Sequence, residues 1–594
     1  MTNGYRTNWD LDVLFAGRSN SADFLDWLTN LEQKTAQLGG QVANIAPRRK
    51  EETIEAILNV QTLLRDLSQA GGFVDCLTAD DMGDARAGWL EERVQTIGAG
   101  ITGVTSHFDA LLAALSREER ESILADERMI PIRFAIEERV RLASEKLDPA
   151  RESLIADLQV DGFEAWERLY YTLLNRMTVV YQENGTNVEL SMGQAANKLG
   201  HPDRNVRKSV FPAWARAWET HSELFAQTLN HIAGSRLTTY KHRGWDDFLM
   251  EPLQKNRMKR ETLDAVWAAV EQSKTALVPY LERKAKLMGV EKPEWFDFGA
   301  AMPQEGSTIT FDEAADFVVK HFGAFSPDMG EFAKSAISNG WVESENRPGK
   351  RTGAFCTRLP VSGQTRVFMT FSGTIDNVFT LAHELGHAYH GKLLADVPFL
   401  ATRYPMGLAE SASTFAETLV VNAAIREATS SIDKIAYLGQ KLQNAVSFFM
   451  DIHARFLFET RFYARRKESP LSANELCDLM VEAQKEAFCD SLASYHPYFW
   501  ASKLHFYMAG MPFYNFPYTI GFLFSNGLYA RYLAEGPEFA GKYRNLLADT
   551  GRMTLEEVAH KHLGEDLTKQ DFWQSAVDVA LADITEFLRL TQTP

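Results

Sequence analysis

Two histidines with a glutamate between them are the residues of this chain best suited to chemistry. His383, Glu384 and His387 lie in the stretch LAHELGHAYHG, which runs from Leu381 to Gly391. Side chains four residues apart share one face of a helix, so both imidazoles can bind one metal ion, and the spacing suits tetrahedral Zn²⁺. Glu384 can then take a proton from the metal-bound water. This HExxH spacing predicts metal-assisted hydrolysis of a carbonyl group.

A catalytic zinc ion usually has three protein ligands, so the two histidines need a third. The downstream candidates are His390, Asp396, Glu410 and Glu417. His390 points about 60° further round the same helix, and Asp396 lies in a predicted turn. Glu410 lies in a run of small residues that would let a second helix come close, so it is the predicted third ligand. Glu417, two turns further on, either accepts the free N–H of a ligand histidine or faces solvent.

Helices must position these residues, and the sequence predicts a mainly α-helical chain. Apolar residues recur at helical spacing through the first ~200 residues. From Leu90 to Leu115 they step alternately by four and three, which is typical of a helix-packing seam. One exception is the segment 177–191, where two β-rich runs flank Asn184 and Gly185 and predict a two-residue hairpin.

A second hairpin is predicted immediately before the metal motif, from the runs 353–357 and 366–371. Ser372 or Thr374 can then cap the helix that carries the two histidines. A strand that leads directly into this helix would offer an edge along which an extended peptide could pair. A strand sheltered from substrate is the alternative.

Composition limits the classes of partner. The 594 residues are 45% hydrophobic and 24% charged, and the net charge of −17 argues against nucleic acid or an anionic membrane as partner. The four cysteines contain no CxxC pair, and the N-terminus has no apolar h-region, so we expect no disulfide framework, no signal peptide and a cytoplasmic location. The uncharged stretch 504–530 is interrupted by Gly and Pro, and we expect an internal wall with irregular backbone instead of a membrane span.

The metal motif and the residues that follow it resemble the thimet-oligopeptidase superfamily, and the oligoendopeptidase F group in particular. After HELGHAYH come ESASTFAET at 410–418, FWASKLHFY at 499–507 and FYNFPYTIG at 513–521. The resemblance implies a large, two-lobed helical metallopeptidase with a deep substrate channel and a small β-sheet beside the HExxH helix. We expect a helical N-terminal lobe at 1–195, which includes the hairpin, and a catalytic lobe at 196–594 with its motif core at 350–530.

The same resemblance assigns roles to the site residues. One zinc ion would be bound by His383, His387 and Glu410, with Glu384 as the base, and the reaction would be hydrolysis of internal bonds in short peptides. Members of the superfamily also place a histidine and tyrosines on a glycine-containing loop that faces the zinc.

The residues of this chain that look like that histidine and those tyrosines are His505, Tyr514 and Tyr518. A phenol O–H directed at the oxyanion stabilises charge that exists mainly in the transition state. Thimet-type members carry a further tyrosine shortly after the second one, where this chain has Thr519 to Phe522. The division of roles between Tyr514 and Tyr518 therefore stays open.

Two other functions fit parts of the pattern. A zinc carboxypeptidase or dipeptidyl carboxypeptidase needs a cation for the substrate carboxylate, and any of many arginines could supply it. An aminopeptidase is disfavoured because no GxMEN stretch precedes His383. A non-catalytic helical binding protein, in which the HExxH motif is accidental, is the alternative from another class.

Overall fold

The computed structural model describes residues 4–45, 49–183, 185–300 and 308–592. Helices dominate these ranges, and the predicted mainly α-helical fold is confirmed. In chain order the helices are α1 Ala22–Ala43, α2 Lys50–Asp80, α3 Ala85–Ala113, α4 Arg117–Leu124, α5 Arg133–Ser144, α6 Pro149–Gly162, α7 Glu164–Arg176, α8 Met192–Leu199, α9 Arg204–Thr220, α10 Ser222–Arg243, α11 Met250–Lys255, α12 Arg260–Ser273, α13 Val278–Leu287, α14 Trp295–Phe298, α15 Phe311–Phe325, α16 Pro327–Ser338, α17 Ile375–Leu393, α18 Met406–Glu427, α19 Ser431–Val446, α20 Ile452–Arg466, α21 Ala473–Ala487, α22 Phe499–Ser502, α23 Phe516–Glu535, α24 Phe539–Asp549, α25 Leu555–Leu563, α26 Gln570–Leu581 and α27 Ile584–Leu590. The strands are β1 Thr178–Glu183, β2 Thr186–Ser191, β3 Val342–Glu343, β4 Phe355–Leu359 and β5 Gln364–Phe368.

The chain divides into two compact units, and each is built from three segments. Unit 1 contains Met1–Lys146, Ser307–Ala423 and Arg531–Glu565, and unit 2 contains Leu147–Gly306, Ala424–Ala530 and Asp566–Pro594. Neither unit begins or ends at 195/196. The division of the chain into an N-terminal lobe and a catalytic lobe at that position stays a prediction.

The N-terminal segment of unit 1 is a helical layer built on the predicted apolar stripes. Ser21 caps α1 and Asp84 caps α3, each by accepting a hydrogen bond from a backbone N–H of the first turn. Leu90, Ile101 and Phe108 of the predicted seam are no more than 2% exposed. Their side chains belong to one hydrophobic core with the apolar residues of α1 and α2. The seam therefore has the structural role that its spacing predicts.

A three-stranded sheet of unit 1 lies beside helix α17. The predicted hairpin is present as β4 and β5, which pair antiparallel, and β3 adds in parallel on the other side of β5. The strand that leads into α17 is thus the central strand, and both of its edges are already paired. The expectation that its edge is available to a peptide is wrong, because the outer position belongs to β4.

Unit 2 contains the other predicted hairpin. β1 and β2 pair antiparallel from Thr178 opposite Ser191 to Glu183 opposite Thr186. Asn184, one of the two predicted turn residues, lies outside the described residues. Ser191 ends the hairpin and caps α8 in a capping box with Gln194, which turns the chain directly into a helix.

The uncharged stretch 504–530 is only partly irregular. Leu504–Phe506 form a 3₁₀ turn, the next residues form turns, and α23 begins at Phe516. The expectation of irregular backbone is wrong from there on. Pro517 lies in the first turn of α23, where a missing N–H is tolerated, and Gly527 lets the ring of Phe572 pack directly on the helix. Within the described ranges, every helix is too short or too polar to serve as a membrane span.

Candidate metal centre

Helix α17 carries both histidines of the metal motif. Thr374 and Asn377 form a capping box at its N-terminus, in agreement with the predicted cap. The predicted apolar stripe is buried, and Val378, Leu385 and Tyr389 are at most 1% exposed. This burial fixes the rotation of the helix about its axis. It thereby fixes the direction in which both histidines point.

Gly386, inside the motif, lets helix α18 come into backbone contact with α17. A Cβ built at Gly386 would lie 2.7 Å from the Ala412 carbonyl oxygen and from Ser413 Cα, and 2.8 Å from Ala416 Cβ. Cβ atoms essentially never approach other atoms closer than 3.0 Å. The two helices can therefore cross here only because residue 386 has no side chain. This is the close approach that the run of small residues before and after Glu410 predicts.

The crossing of α17 and α18 brings a carboxylate to the two histidines. Glu410 Oε2 lies 3.3 Å from His383 Nε2 and 3.7 Å from His387 Nε2. One donor atom from each of the three side chains lies within 4.8 Å of the other two. Two ligands at 2.0–2.1 Å from a tetrahedral zinc ion are separated by about 3.3–3.4 Å. The nitrogen and oxygen donors and their separations therefore fit a single zinc ion.

Glu417 orients the first histidine. Its Oε2 lies 3.1 Å from His383 Nδ1, so the structure agrees with the first of the two alternatives for this residue. A hydrogen on Nδ1 that is donated to a carboxylate leaves the lone pair on Nε2. That is the nitrogen that faces Glu410.

The charges of the donor set favour a cation. Burial acts to lower the pKa of His383, but hydrogen bonds with Glu410 and Glu417 outweigh it and raise the pKa well above its usual value. Burial and the charge of His383 lower the pKa of His387 to about 4. Burial acts to raise the pKa of Glu410, yet the hydrogen bond from His383 and the charge of His387 hold it at about 2. A metal ion can replace the proton of His383, because metal binding requires neutral imidazoles and an ionised carboxylate.

Glu384 is a buried carboxyl beside the donor set. Its side chain is 6% exposed, and its Oε2 has no hydrogen-bond partner among the described residues. Burial raises the pKa of Glu384 to about 7, with the charge of His383 opposing this rise and those of Glu410 and Glu417 adding to it. A carboxyl group with a pKa near neutrality can both accept and return a proton.

His390 and Asp396, the candidates not chosen as ligands, have other environments. His390 Nε2 lies 3.1 Å from the Leu547 carbonyl oxygen and 2.9 Å from Thr550 Oγ1. Its ring stacks on Tyr404 at 4.3 Å. Burial lowers the pKa of His390 to about 3, so the ring is neutral and ties α17 to the last turn of α24 and to the residue that follows it. Asp396 is exposed.

His505, Tyr514 and Tyr518 lie together in unit 2. The rings of His505 and Tyr514 stack at 5.3 Å with an interplanar angle of 13°. Tyr518 meets both rings edge-on, at 6.3 Å from His505 and 5.7 Å from Tyr514. Burial, and after it the positive charges of Arg455 and Lys503, lower the pKa of His505 to about 4. The histidine is therefore neutral near pH 7. The donor set belongs to unit 1 and this aromatic cluster to unit 2.

Two features of the site were not predicted from the sequence. The first is that β5 is the central strand of the sheet, because the two-residue strand β3 pairs with it on the side away from β4. The second is the role of Gly386. A glycine in the middle of an otherwise well-formed helix is the signal that could have identified this crossing point.

A mainly helical protein in which two histidines and a glutamate could hold a metal ion, with a buried carboxyl beside them, has the chemistry of the metallopeptidases. The sequence pattern of peptidase family M3 matches residues 199–579, and that of oligopeptidase F matches residues 112–178. The first match covers more than half of the chain. The chain belongs to peptidase family M3, and the predicted resemblance is confirmed.

Individual relatives agree with this membership. The chain is similar to an oligoendopeptidase F homolog of Lactococcus lactis, with 23% identity over 70% of this chain and 69% of the relative. It is similar to the group B oligopeptidase PepB of Streptococcus agalactiae, with 26% identity over 68% and 67% of the two chains. The crystal structure of oligoendopeptidase-F from Enterococcus faecium has the same fold, with a TM-score of 0.71, 20% identity and coverage of 96% and 98%.

Proposed function

We propose that the protein is a zinc-dependent endopeptidase that hydrolyses internal bonds of short peptides. Its membership of peptidase family M3 supports a metallopeptidase, and the relatives described as oligopeptidases and oligoendopeptidases support short peptides as substrates. The observation that carries the choice of zinc is the separation of Glu410 Oε2 from the two imidazole nitrogens, at 3.3 and 3.7 Å. His383, His387 and Glu410 are the proposed ligands of one ion.

Glu384 is the proposed general base. When bound, zinc would supply a water of lowered pKa and polarise the scissile carbonyl. Glu384 accepts a proton from the attacking water and passes it to the nitrogen of the leaving amine. Its burial beside the ligands supports this role, because a carboxyl with a pKa near 7 suits proton transfer in both directions. Glu417 holds His383 in the tautomer that presents Nε2.

His505, Tyr514 and Tyr518 are the proposed substrate-binding residues. A tyrosine O–H would donate a hydrogen bond to the carbonyl oxygen as it gains negative charge. The family resemblance and the packing of the three rings against one another support a shared role. Because His505 is neutral at pH 7, it can offer an N–H to the substrate without adding a charge.

Two substitutions test the assignments of base and ligand. Glu384→Gln should keep the zinc and lose nearly all turnover, because the amide cannot accept the proton. Glu410→Ala should lose zinc as well, since only two protein ligands remain. Metal analysis and a peptide-cleavage assay on the same samples provide both readouts. A full complement of zinc in Glu410→Ala would remove Glu410 from the ligand set.

Peptide end groups separate the alternative functions. An internally quenched peptide blocked at both termini is cut by an endopeptidase, but not by a carboxypeptidase or dipeptidyl carboxypeptidase. Chelator-sensitive cleavage of the blocked peptide with one zinc per chain is the expected result. Zinc-independent binding without cleavage would favour the non-catalytic alternative. A cytoplasmic location and the absence of nucleic-acid and membrane partners stay predictions from the sequence.

A further inference from the structure

Arg358, on the outer strand β4, packs against helix α17, which carries the two histidines of the metal motif. A Cβ built at Gly391 would lie 3.4 Å from Cγ and 3.6 Å from Cδ of Arg358. The aliphatic part of the arginine therefore packs on α17 at a residue without a side chain. Gly391 follows His387 by four residues, and the two positions share one helix face about 6 Å apart. Arg358 thus lies one helical turn beyond the proposed ligand His387.

The structure shows no hydrogen bond or ion pair of the Arg358 guanidinium with any residue in the part of the chain that it describes. The side chain is partly buried, and burial lowers its pKa, although Tyr404 and Cys356 act in the opposite direction. Two other arginines of unit 1 that are partly or fully buried have acceptors, although Arg366 Nε has none among the described residues. Arg366 donates to the carbonyl oxygens of Thr365 and Asp10, and Arg347 donates to Asp80.

A partly buried guanidinium that no protein group engages keeps its N–H donors available to an anion. The planar guanidinium offers parallel N–H donors that match the two oxygens of a carboxylate. Arg358 is on one of the two outer strands of the sheet, and helix α2 covers its carbonyl oxygen, because a Cβ built at Gly72 would lie 2.8 Å from that atom. A peptide that lies beside α17 would therefore meet the side chain of Arg358 and not its main chain.

We propose that Arg358 is a specificity-determining residue that binds a carboxylate of the peptide substrate. The carboxylate comes either from the C-terminus of the peptide or from an acidic side chain. This inference rests on the proposed endopeptidase function and adds a preferred substrate class to it. The charge of Arg358 favours substrates that carry a carboxylate at one fixed distance from the bond that is cut.

A set of quenched-fluorescence peptides tests the proposal with the zinc-loaded, full-length enzyme. The parent peptide is neutral and ends in a carboxamide. One derivative has a free C-terminal carboxylate, and others carry Glu in place of Gln at one position each. The enzyme variants are Arg358→Met, which keeps the packed stem, and Arg358→Lys, which keeps the charge. Arg351→Met, the change of an exposed arginine shortly before β4, is the matched control.

For the unchanged enzyme, kcat/KM should be about tenfold or more higher for one carboxylate peptide than for the neutral parent, mainly through a lower KM. Arg358→Met should lose this preference and still cut the neutral parent at the original rate, which also shows that it is folded. Arg358→Lys should keep part of the preference, and Arg351→Met should keep all of it. The free C-terminus or one Glu position, whichever is preferred, identifies the source of the carboxylate.

Three results would overturn the assignment while leaving the endopeptidase function intact. The unchanged enzyme could cut all peptides equally, Arg358→Met could keep the preference, or Arg358→Met could lose activity equally on neutral and acidic peptides at full zinc content. Failure of the zinc-loaded, unchanged enzyme to cut any peptide of the set would overturn the proposed function and this inference together.

Discussion

Replacing Gly386 with alanine adds one methyl group at the point where α17 and α18 cross. The new Cβ would lie 2.7 Å from the Ala412 carbonyl oxygen and Ser413 Cα, about 0.7 Å less than the 3.4 Å at which ordinary contact begins. Both atoms belong to the backbone, so no rotation of a side chain relieves the overlap, and the helices must separate. Overpacking of this kind costs about 1–3 kcal/mol, and alanine in place of glycine inside a helix returns at most about 1 kcal/mol. With that return subtracted, we expect a net loss of up to about 2 kcal/mol in the free energy of unfolding.

The same separation weakens the metal centre. Glu410 is on α18 and the two histidines are on α17, so a shift between these helices changes the distances of 3.3 and 3.7 Å between their donor atoms. Zinc sites tolerate errors of about 0.2 Å in ligand distances. A displacement of about 0.7 Å exceeds that tolerance several-fold, and we expect zinc affinity to fall by about 10- to 100-fold.

Competition with a chromogenic chelator measures the zinc affinity, and thermal unfolding of the metal-free protein measures the stability. Gly103→Ala is the matched control. Gly103 lies within helix α3 on its exposed side, and a Cβ there meets nothing within 4 Å. The control should gain up to about 1 kcal/mol in stability and bind zinc normally. If Gly386→Ala resembled Gly103→Ala in both measurements, the contact between α17 and α18 would have room for a side chain at residue 386, contrary to this prediction.

Three further predictions concern other residues of the site and of the core. Glu417→Gln removes the carboxylate that accepts from His383 Nδ1, and chelator competition should show about a tenfold loss of zinc affinity; unchanged affinity would contradict the orienting role. One of the two variants Tyr518→Phe and Tyr514→Phe should lower kcat by about 100-fold with little change in KM, and the tyrosine replaced in that variant is the donor to the oxyanion. If both variants were fully active, neither tyrosine would be that donor. Burial raises the pKa of Glu459 to about 8, so the folded state holds a proton that the unfolded state releases near pH 4.5. The contribution of Glu459 to the free energy of unfolding should therefore fall between about pH 5 and 8, by at most about 1.4 kcal/mol per pH unit. The difference in the free energy of unfolding between the unchanged protein and Glu459→Gln should fall with this slope across that range, and a difference that does not change with pH would contradict the raised pKa of Glu459.

Local patterns in the sequence predicted all three residues of the donor set. The spacing of His383 and His387 fixes their common face, and Thr374 marks the start of their helix. Glu410 was identified because small residues around it allow close helix packing. The structure places all four where this reasoning requires, since each depends on contacts within one helix or on a single helix crossing.

Features that depend on distant segments were not predictable in the same way. Strand β3 is two residues long, too short for any alternation of apolar and polar side chains, and its pairing with β5 decides which strand forms the edge. The helix that begins at Phe516 was also missed, because Pro517 and the glycines of α23 are typical of irregular backbone. Pro517 is tolerated at the helix start, and Gly527 is explained only by the ring of Phe572, which lies 45 positions later in the chain.

The segmented construction of unit 1 has a consequence for biosynthesis. Its last segment, Arg531–Glu565, supplies Leu547 and Thr550 to the ring of His390 and the Tyr543 hydroxyl to the Ala412 carbonyl oxygen. These contacts support both helices of the donor set. A nascent chain that has left the ribosome only as far as Glu427 has every metal donor but lacks this support. Zinc loading is therefore expected to be a late event, which follows the synthesis of residue 550.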